Sequence, residues 1–236
     1  MTGVQTCALP ICSIIIKPSE FTPLTILRVA ELAVDAGLPA GVLNVLTGGG
    51  PVGQALIEHP GTDKVSFTGS VPTGIAVGRA ATGAGLTRAT LELGGKNSVG
   101  FLRDVDLDKA VNGIMEAGFL HSGQICAAAE RFFAHRSQIE PIMSRLAERL
   151  GKLNIGSPLD ERTEFGPVTH RQHQLKLEGF FAKARAENNT IIHGGRRMDR
   201  PGCYVEPTVI LANSINDSVL NEETFGPIAT FLPYDS

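Results

Sequence analysis

Short runs of β-branched residues alternate with stretches of helical periodicity along most of the chain. Residues 13–17 (SIIIK) form an apolar run bounded by polar residues, the mark of a buried strand. Thr22 and Pro23 follow as a helix N-cap and its first residue. Leu24, Leu27, Ala30 and Val34 then recur on one helical face, and Gly37 with Pro39 closes that helix. The next strand is predicted at 42–46, followed by three glycines and a short helix over 52–58. A strand at 64–68 (KVSFT), a helix of small residues over 71–81 and a strand at 87–93 (TRATLEL) continue the rhythm.

After Gly94 and Gly95 the pattern changes, and this pair is the predicted domain boundary, between 12–93 and 94–236. A strand is predicted at 97–102, then a helix over 107–120 with Ala110, Ile114, Ala117 and Phe119 apolar. A strand at 131–135 precedes an amphipathic helix over 139–150 with Arg145 and Glu148 facing outward. A loop rich in Gly, Pro and Asp occupies 156–167. A long polar helix over 172–187 and strands at 190–193, 208–211 and 229–232 complete the chain. Strands alternating with helices imply an α/β fold with a mostly parallel sheet.

Residues 1–11 (MTGVQTCALPI) stand apart. They lack the basic start and apolar centre of a secretory signal, and they lack the pattern that follows. They are expected to be an artefactual segment outside the fold.

Composition narrows the function classes. Twenty-one basic and 24 acidic residues leave a net charge of −3, which argues against a nucleic-acid or anionic-membrane partner. No stretch approaches the ~18 apolar residues of a membrane span. Cysteines stand at 7, 12, 126 and 203. None has Cys-x-x-Cys spacing and no His completes a zinc set, so no metal site is expected. A disulfide framework would need denser cysteines, so the reading is a reducing, cytoplasmic compartment.

Several segments could carry chemistry, each with a plain alternative. Gly48, Gly50 and Gly53 satisfy G-x-G-x-x-G between a strand and a helix, a dinucleotide pattern. The acidic residue expected about 20 positions on is absent. Asp63 comes too early and position 72 is Pro, and three glycines also make a simple tight turn. Residues 67–70 (FTGS), with Gly74 beyond, suit a pyrophosphate at a helix start, where Ser70 adds a hydroxyl. Ser70 could equally be an ordinary N-cap. Lys17 and Glu20 close the first strand, where an open α/β sheet binds ligands; they could also be a surface pair. Cys126 follows Gly123 at a turn, placed for an activated thiol or for a small buried hydrophobe. Glu92 ends an apolar strand, where an unpaired buried carboxylate would be costly. A nucleophile and a general base are therefore conceivable in Cys126 and Glu92.

Taken in order, 17–20 (KPSE), 67–70 (FTGS), 91–96 (LELGGK), 123–126 (GQIC) and 223–227 (ETFGP) resemble the NAD(P)-dependent aldehyde dehydrogenase superfamily. The spacing from Glu92 to Cys126 also resembles the family's, and the similarity runs from about Cys12 to the end. The resemblance implies part of a Rossmann-like NAD-binding domain over 12–93 and part of an α/β catalytic domain over 94–236. It implies Cys126 as nucleophile and Glu92 as general base. Lys17 and Glu20 would hold the adenosine ribose, and Gly50 and Gly53 would lie near the adenine edge. Gly69, Ser70 and Gly74 would meet the pyrophosphate. Glu223 and Phe225 would hold the nicotinamide ribose and ring, and Leu93 would also contact the cofactor. Glu20 would accept from a free ribose 2′-hydroxyl and repel a 2′-phosphate, so NAD is expected over NADP. The substrate would be a small aldehyde, and the full-length form a homo-oligomer.

The chain departs from the family in extent. By the resemblance, a large N-terminal part, including the Pro-Trp-Asn segment that carries a second oxyanion donor, and the C-terminal end are expected to be absent. Alone, the chain is expected to be poorly soluble or inactive. A CoA-acylating semialdehyde dehydrogenase and a non-catalytic homologue are the rival readings. Leu120, Ile125 and Ala127 near the cysteine lean toward an apolar aldehyde, and 123–133 (GQICAAAERFF) resembles phenylacetaldehyde-type members.

Overall fold

The structure, a computed structural model, describes residues 12–235. The described residues divide into two compact units, one ending at Leu93 and the other beginning at Gly94.

In the first unit β1 (Ile14–Ile16) pairs in parallel with β2 (Leu43–Val45), joined by helix α1 (Leu24–Asp35). Strand β3 (Lys64–Gly69) pairs in parallel with β4 (Arg88–Leu93), joined by α3 (Val71–Gly83). Helix α2 (Gly50–Glu58) links the two pairs. Parallel neighbours cannot be joined by a tight turn, so each pair carries its crossover helix. Ile57 of α2 packs with Val77 and Ala81 of α3 against Val65, Phe67 and Leu91 of the strands.

Two expectations for α1 change. Its N-cap is Pro23, without a side-chain cap, because Thr22 is still in a turn, its amide bonded to the Ser19 carbonyl at 3.2 Å. Among the described residues the helix also buries none of its own, and Leu24 and Val34 of the expected apolar face are exposed. Its end is as expected. Leu38 N–H reaches the Ala33 carbonyl and Gly37 N–H that of Val34, with Gly37 at φ +92°, a Schellman closure that favours glycine.

The second unit is a five-stranded sheet in the order β5 (Asn97–Phe101), β6 (Ala129–His135), β9 (Ile228–Tyr234), β8 (Thr208–Leu211), β7 (Thr190–His193). All neighbours are parallel except β7 with β8. Helices α4 (Leu107–Ile114) and α5 (Arg136–Gly151) share a core with Phe132, Val209 and Phe231. Helices α6 (Arg171–Ala186) and α7 (Ser218–Asn221) share a second with Ile210 and Ile228. Adjacent strand residues such as Val209 and Ile210 thus serve opposite faces, as strand alternation requires.

The predicted helix over 107–120 breaks early. It is α-helical only to Ile114, widens into a π turn over Met115–Phe119, then tightens over Leu120–Gly123. Gly113 and Gly118 weaken the helix, and a Cβ at Gly118 would stand 3.0 Å from the Ala129 carbonyl. Helix α5 begins at Arg136, ahead of the expected 139, because His135 Nδ1 accepts from the Ser137 amide at 3.2 Å. Among the described residues no helix is long and apolar enough to cross a membrane.

Candidate active site

The first unit gathers one group of expected residues at the ends of its strands. Lys17 leaves β1 and its Nζ donates to the carbonyls of Pro18 at 2.7 Å and Gly48 at 2.9 Å. The Lys17 stem runs past Gly53, in the first turns of α2, while Glu20 is exposed in the turn that follows. The three-glycine segment both receives a lysine at the Gly48 carbonyl and turns on itself, the Gly49 carbonyl accepting from the Val52 amide at 3.2 Å, and Gly50 opens α2. Ser70 is the N-cap of α3, its Oγ accepting from the Thr73 amide at 3.4 Å. The ordinary capping role is thus filled, and the amide of Gly74 is spent on the Ser70 carbonyl at 2.9 Å. Pro72 removes one more donor from the first turn. Gly69 and Leu93 face each other in register, as do Thr68 and Glu92. Glu92 is exposed, so no burial penalty acts on it.

The second unit assembles the other group. Cys126 is exposed in the loop before β6. Asn97, at the start of β5, donates from Nδ2 to the carbonyls of Cys126 at 2.7 Å and Ala128 at 3.0 Å. The loop starts from three successive left-handed residues, His121, Ser122 and Gly123. Two of these are not glycine, a strained conformation that functional loops often store. Ser122 Oγ donates to the Gly166 carbonyl at 3.0 Å, and Gln124 Oε1 accepts from the amide and hydroxyl of Thr169. Gly123 lies directly on the carbonyl of Gly226, where a Cβ would collide. The cysteine loop therefore rests on the turn that carries Glu223 and Phe225.

That turn is held by groups the motif reading did not single out. Glu130 of β6 is only 3% exposed, and its Oε2 accepts from the Thr224 amide at 2.9 Å and hydroxyl at 2.8 Å. Its Oε1 accepts from the Phe225 amide at 2.9 Å. Lys96 forms an ion pair with the same carboxylate. His173 Nε2 donates to the Phe225 carbonyl at 2.7 Å, and Lys176 Nζ to that of Glu223 at 3.0 Å. The Glu223 carboxylate accepts from the Gly95 amide at 2.9 Å and fills the space a Gly94 side chain would need. Phe225 itself has φ +55°, which an aromatic residue avoids unless its surroundings impose it.

Burial pushes Lys96 below its ordinary 10.5, against the opposing pull of Glu130. His173 is lowered from 6.5, chiefly by burial, with the Phe225 carbonyl opposing. Glu130 was legible in principle. It shares the inward face of β6 with Phe132 and Ala134, so period-two alternation places a carboxylate in the core.

Residues 5–236 match the family model described as "Aldehyde dehydrogenase family". The chain belongs to the aldehyde dehydrogenase family. The match takes in residues 5–11, which the sequence pattern set apart and which lie outside the described residues. A betaine aldehyde dehydrogenase of Cereibacter sphaeroides is 40% identical over 224 residues, covering 95% of this chain and 46% of that protein. The NAD+ complex of aldehyde dehydrogenase from Bacillus cereus is 36% identical with a TM-score of 0.92, over 95% of this chain and 46% of that one. A betaine aldehyde dehydrogenase of Staphylococcus aureus, solved with NAD+, is 38% identical with a TM-score of 0.90, over the same shares. The expected aldehyde dehydrogenase type of α/β fold thus agrees with solved members of the family. The chain spans a little under half the length of these relatives.

Proposed function

We propose that this aldehyde dehydrogenase family chain carries the nucleophile, base and cofactor contacts for NAD-dependent oxidation of an aldehyde to an acid. The observation that carries the reading is the exposed Cys126 on a loop seated against the turn of Glu223 and Phe225. The residues fit a dinucleotide in kind. A capped helix start lies beside Gly69 in the first unit, and a carboxylate and an aromatic ring share one rigid turn in the second.

In this reading the Cys126 sulfur bonds to the aldehyde carbon and the carbonyl oxygen takes up negative charge. The Cys126 amide is the donor for that oxygen, and Asn97 orients its loop through the Cys126 carbonyl. A bound nicotinamide dinucleotide supplies the hydride acceptor. Glu92 takes a proton from water, whose oxygen attacks the resulting thioester carbon, and Cys126 leaves as thiolate. Lys17 and Glu20 hold the adenosine ribose, with Gly50 and Gly53 at the adenine edge. Gly69, Ser70 and Gly74 serve the pyrophosphate. Glu223 and Phe225 hold the nicotinamide ribose and ring, and Leu93 also contacts the cofactor. Glu20 favours NAD over NADP by charge. The apolar Leu120 and Ile125 beside the nucleophile favour an apolar aldehyde.

Site-resolved thiol labelling tests the assignment without requiring turnover. Cys126 is expected to alkylate at neutral pH at a rate that changes with NAD, while the labelling rates of Cys12 and Cys203 are expected to be the same with and without NAD. A Cys126 rate indifferent to NAD would refute the reading. Given turnover, free acid as product supports hydrolysis by Glu92, and acyl-CoA formed in the presence of CoA would replace it with the acylating chemistry.

A further inference from the structure

The geometry points to Glu130 as a positioning residue for the nicotinamide end of the cofactor: its buried carboxylate, paired with Lys96, holds the Thr224 and Phe225 amides and so aims Glu223 and the Phe225 ring. This rests on the preceding assignment of Glu223 and Phe225.

Three observations support it. The carboxylate uses both oxygens, on two consecutive amides and a hydroxyl of one turn, in addition to the Lys96 ammonium. A buried ion pair is weak evidence for stability, since apolar residues of similar volume often pack as well. Here Phe132 and Ala134 occupy the same face of β6 without polar partners, so the strand does not itself call for a charge. What the charge does is fix a turn that strands cannot fix. Two consecutive amides point to one acceptor, and Phe225 is kept at φ +55°. The pair also joins both sides of the site. Lys96 follows Gly94 and Gly95, which receive the Glu223 carboxylate, and Glu130 lies on the strand that the Cys126 loop enters.

The test compares NAD with ADP, which lacks the nicotinamide half, on the full chain. Glu130→Gln cannot accept from both amides, because its NH2 group is a donor. It is expected to weaken NAD about tenfold, roughly 1.4 kcal/mol, with ADP affinity unchanged. General unfolding would weaken both ligands alike. Glu223→Ala serves as the reference. If Glu223→Ala loses NAD affinity and Glu130→Gln does not, the positioning role of Glu130 is wrong and the site assignment stands. If the parent binds NAD no better than ADP and Glu223→Ala changes nothing, the assignment fails and this inference with it. Should Glu130→Gln not fold because Lys96 is left unpaired, Lys96→Met/Glu130→Gln removes both charges. It is expected to show the same selective loss, and parent-like NAD affinity would overturn the role. If both variants unfold, Glu130 is a folding element and the inference is overturned.

Discussion

The two units hold their candidate site residues by different means. In the second, Glu130 is buried among four donors, in a unit with two extended apolar cores. In the first, the buried cluster among the described residues has three members, Ile57, Val77 and Ala81. Leu24 and Leu86 of that unit are 78% and 80% exposed. There Lys17 is held by two backbone carbonyls and Ser70 by its own helix start. A motif can therefore be complete in sequence while the packing that would immobilise it is unequal. Rigid positioning at the second unit comes from a buried ion pair backed by a core. At the first it comes from local hydrogen bonds.

The sharpest way to break this contrast is to remove core volume. Phe132 lies between Phe101 and Phe231, with ring centroids at 6.2 and 5.2 Å, and is fully buried. Phe132→Ala is expected to cost about 3–5 kcal/mol of the second unit's stability. Leu24→Ala in the first should stay within about 0.5 kcal/mol. Denaturant unfolding measures both, and equal losses would dissolve the distinction. Lys96→Met comes next. It leaves the Glu130 carboxylate buried without its cation, for a loss of about 3 kcal/mol in the same assay. A near-neutral result would mean that the amide donors alone carry the charge.

The same contrast explains what the sequence made legible. The order of the strands and of every helix but the four-residue α7 was readable, because β-branched runs and 3.6-residue periods are local signals and one turn of helix carries neither. The π turn after Ile114 was not, because the packing of Gly118 under Ala129 arises only in the folded sheet. The apolar stripe of α1 predicted burial that the described residues do not supply, since Leu24 and Val34 stay exposed. Cys126, Glu223 and Phe225 stood out by motif. Glu130 and His173 did not, and Lys96 closed the 91–96 motif without a role of its own, because their roles depend on partners 34 to 95 positions away. Only the alternation of β6 carried a local hint, through a carboxylate on its inward face.

Capping offers a smaller test within the first unit. Ser70→Ala removes the acceptor for the Thr73 amide and is expected to destabilise α3 by about 1 kcal/mol. Hydrogen exchange should accelerate in the first turn of α3 and leave β6 and β9 unchanged. Faster exchange in those strands as well would show that the units are energetically inseparable.

The smallest effect expected is a pH dependence confined to the second unit. His173 is held below its ordinary 6.5 by burial, with Lys176 and His170 adding repulsion and the Phe225 carbonyl and Glu130 opposing. Between that lowered value and 6.5 the unfolded chain binds a proton that the folded chain refuses. Stability therefore rises with pH through this window and falls as the solution is acidified through it. The imidazole also meets the Phe225 ring edge-on, with centroids at 6.3 Å, so charging it disturbs the turn that carries Glu223. His173→Gln can still donate to the Phe225 carbonyl but cannot titrate in this range. It should flatten the slope of stability against pH below 6.5 while leaving stability at neutral pH close to the parent. An unchanged slope in the variant would move the acid sensitivity to another group and free the Phe225 turn from any dependence on the protonation of His173.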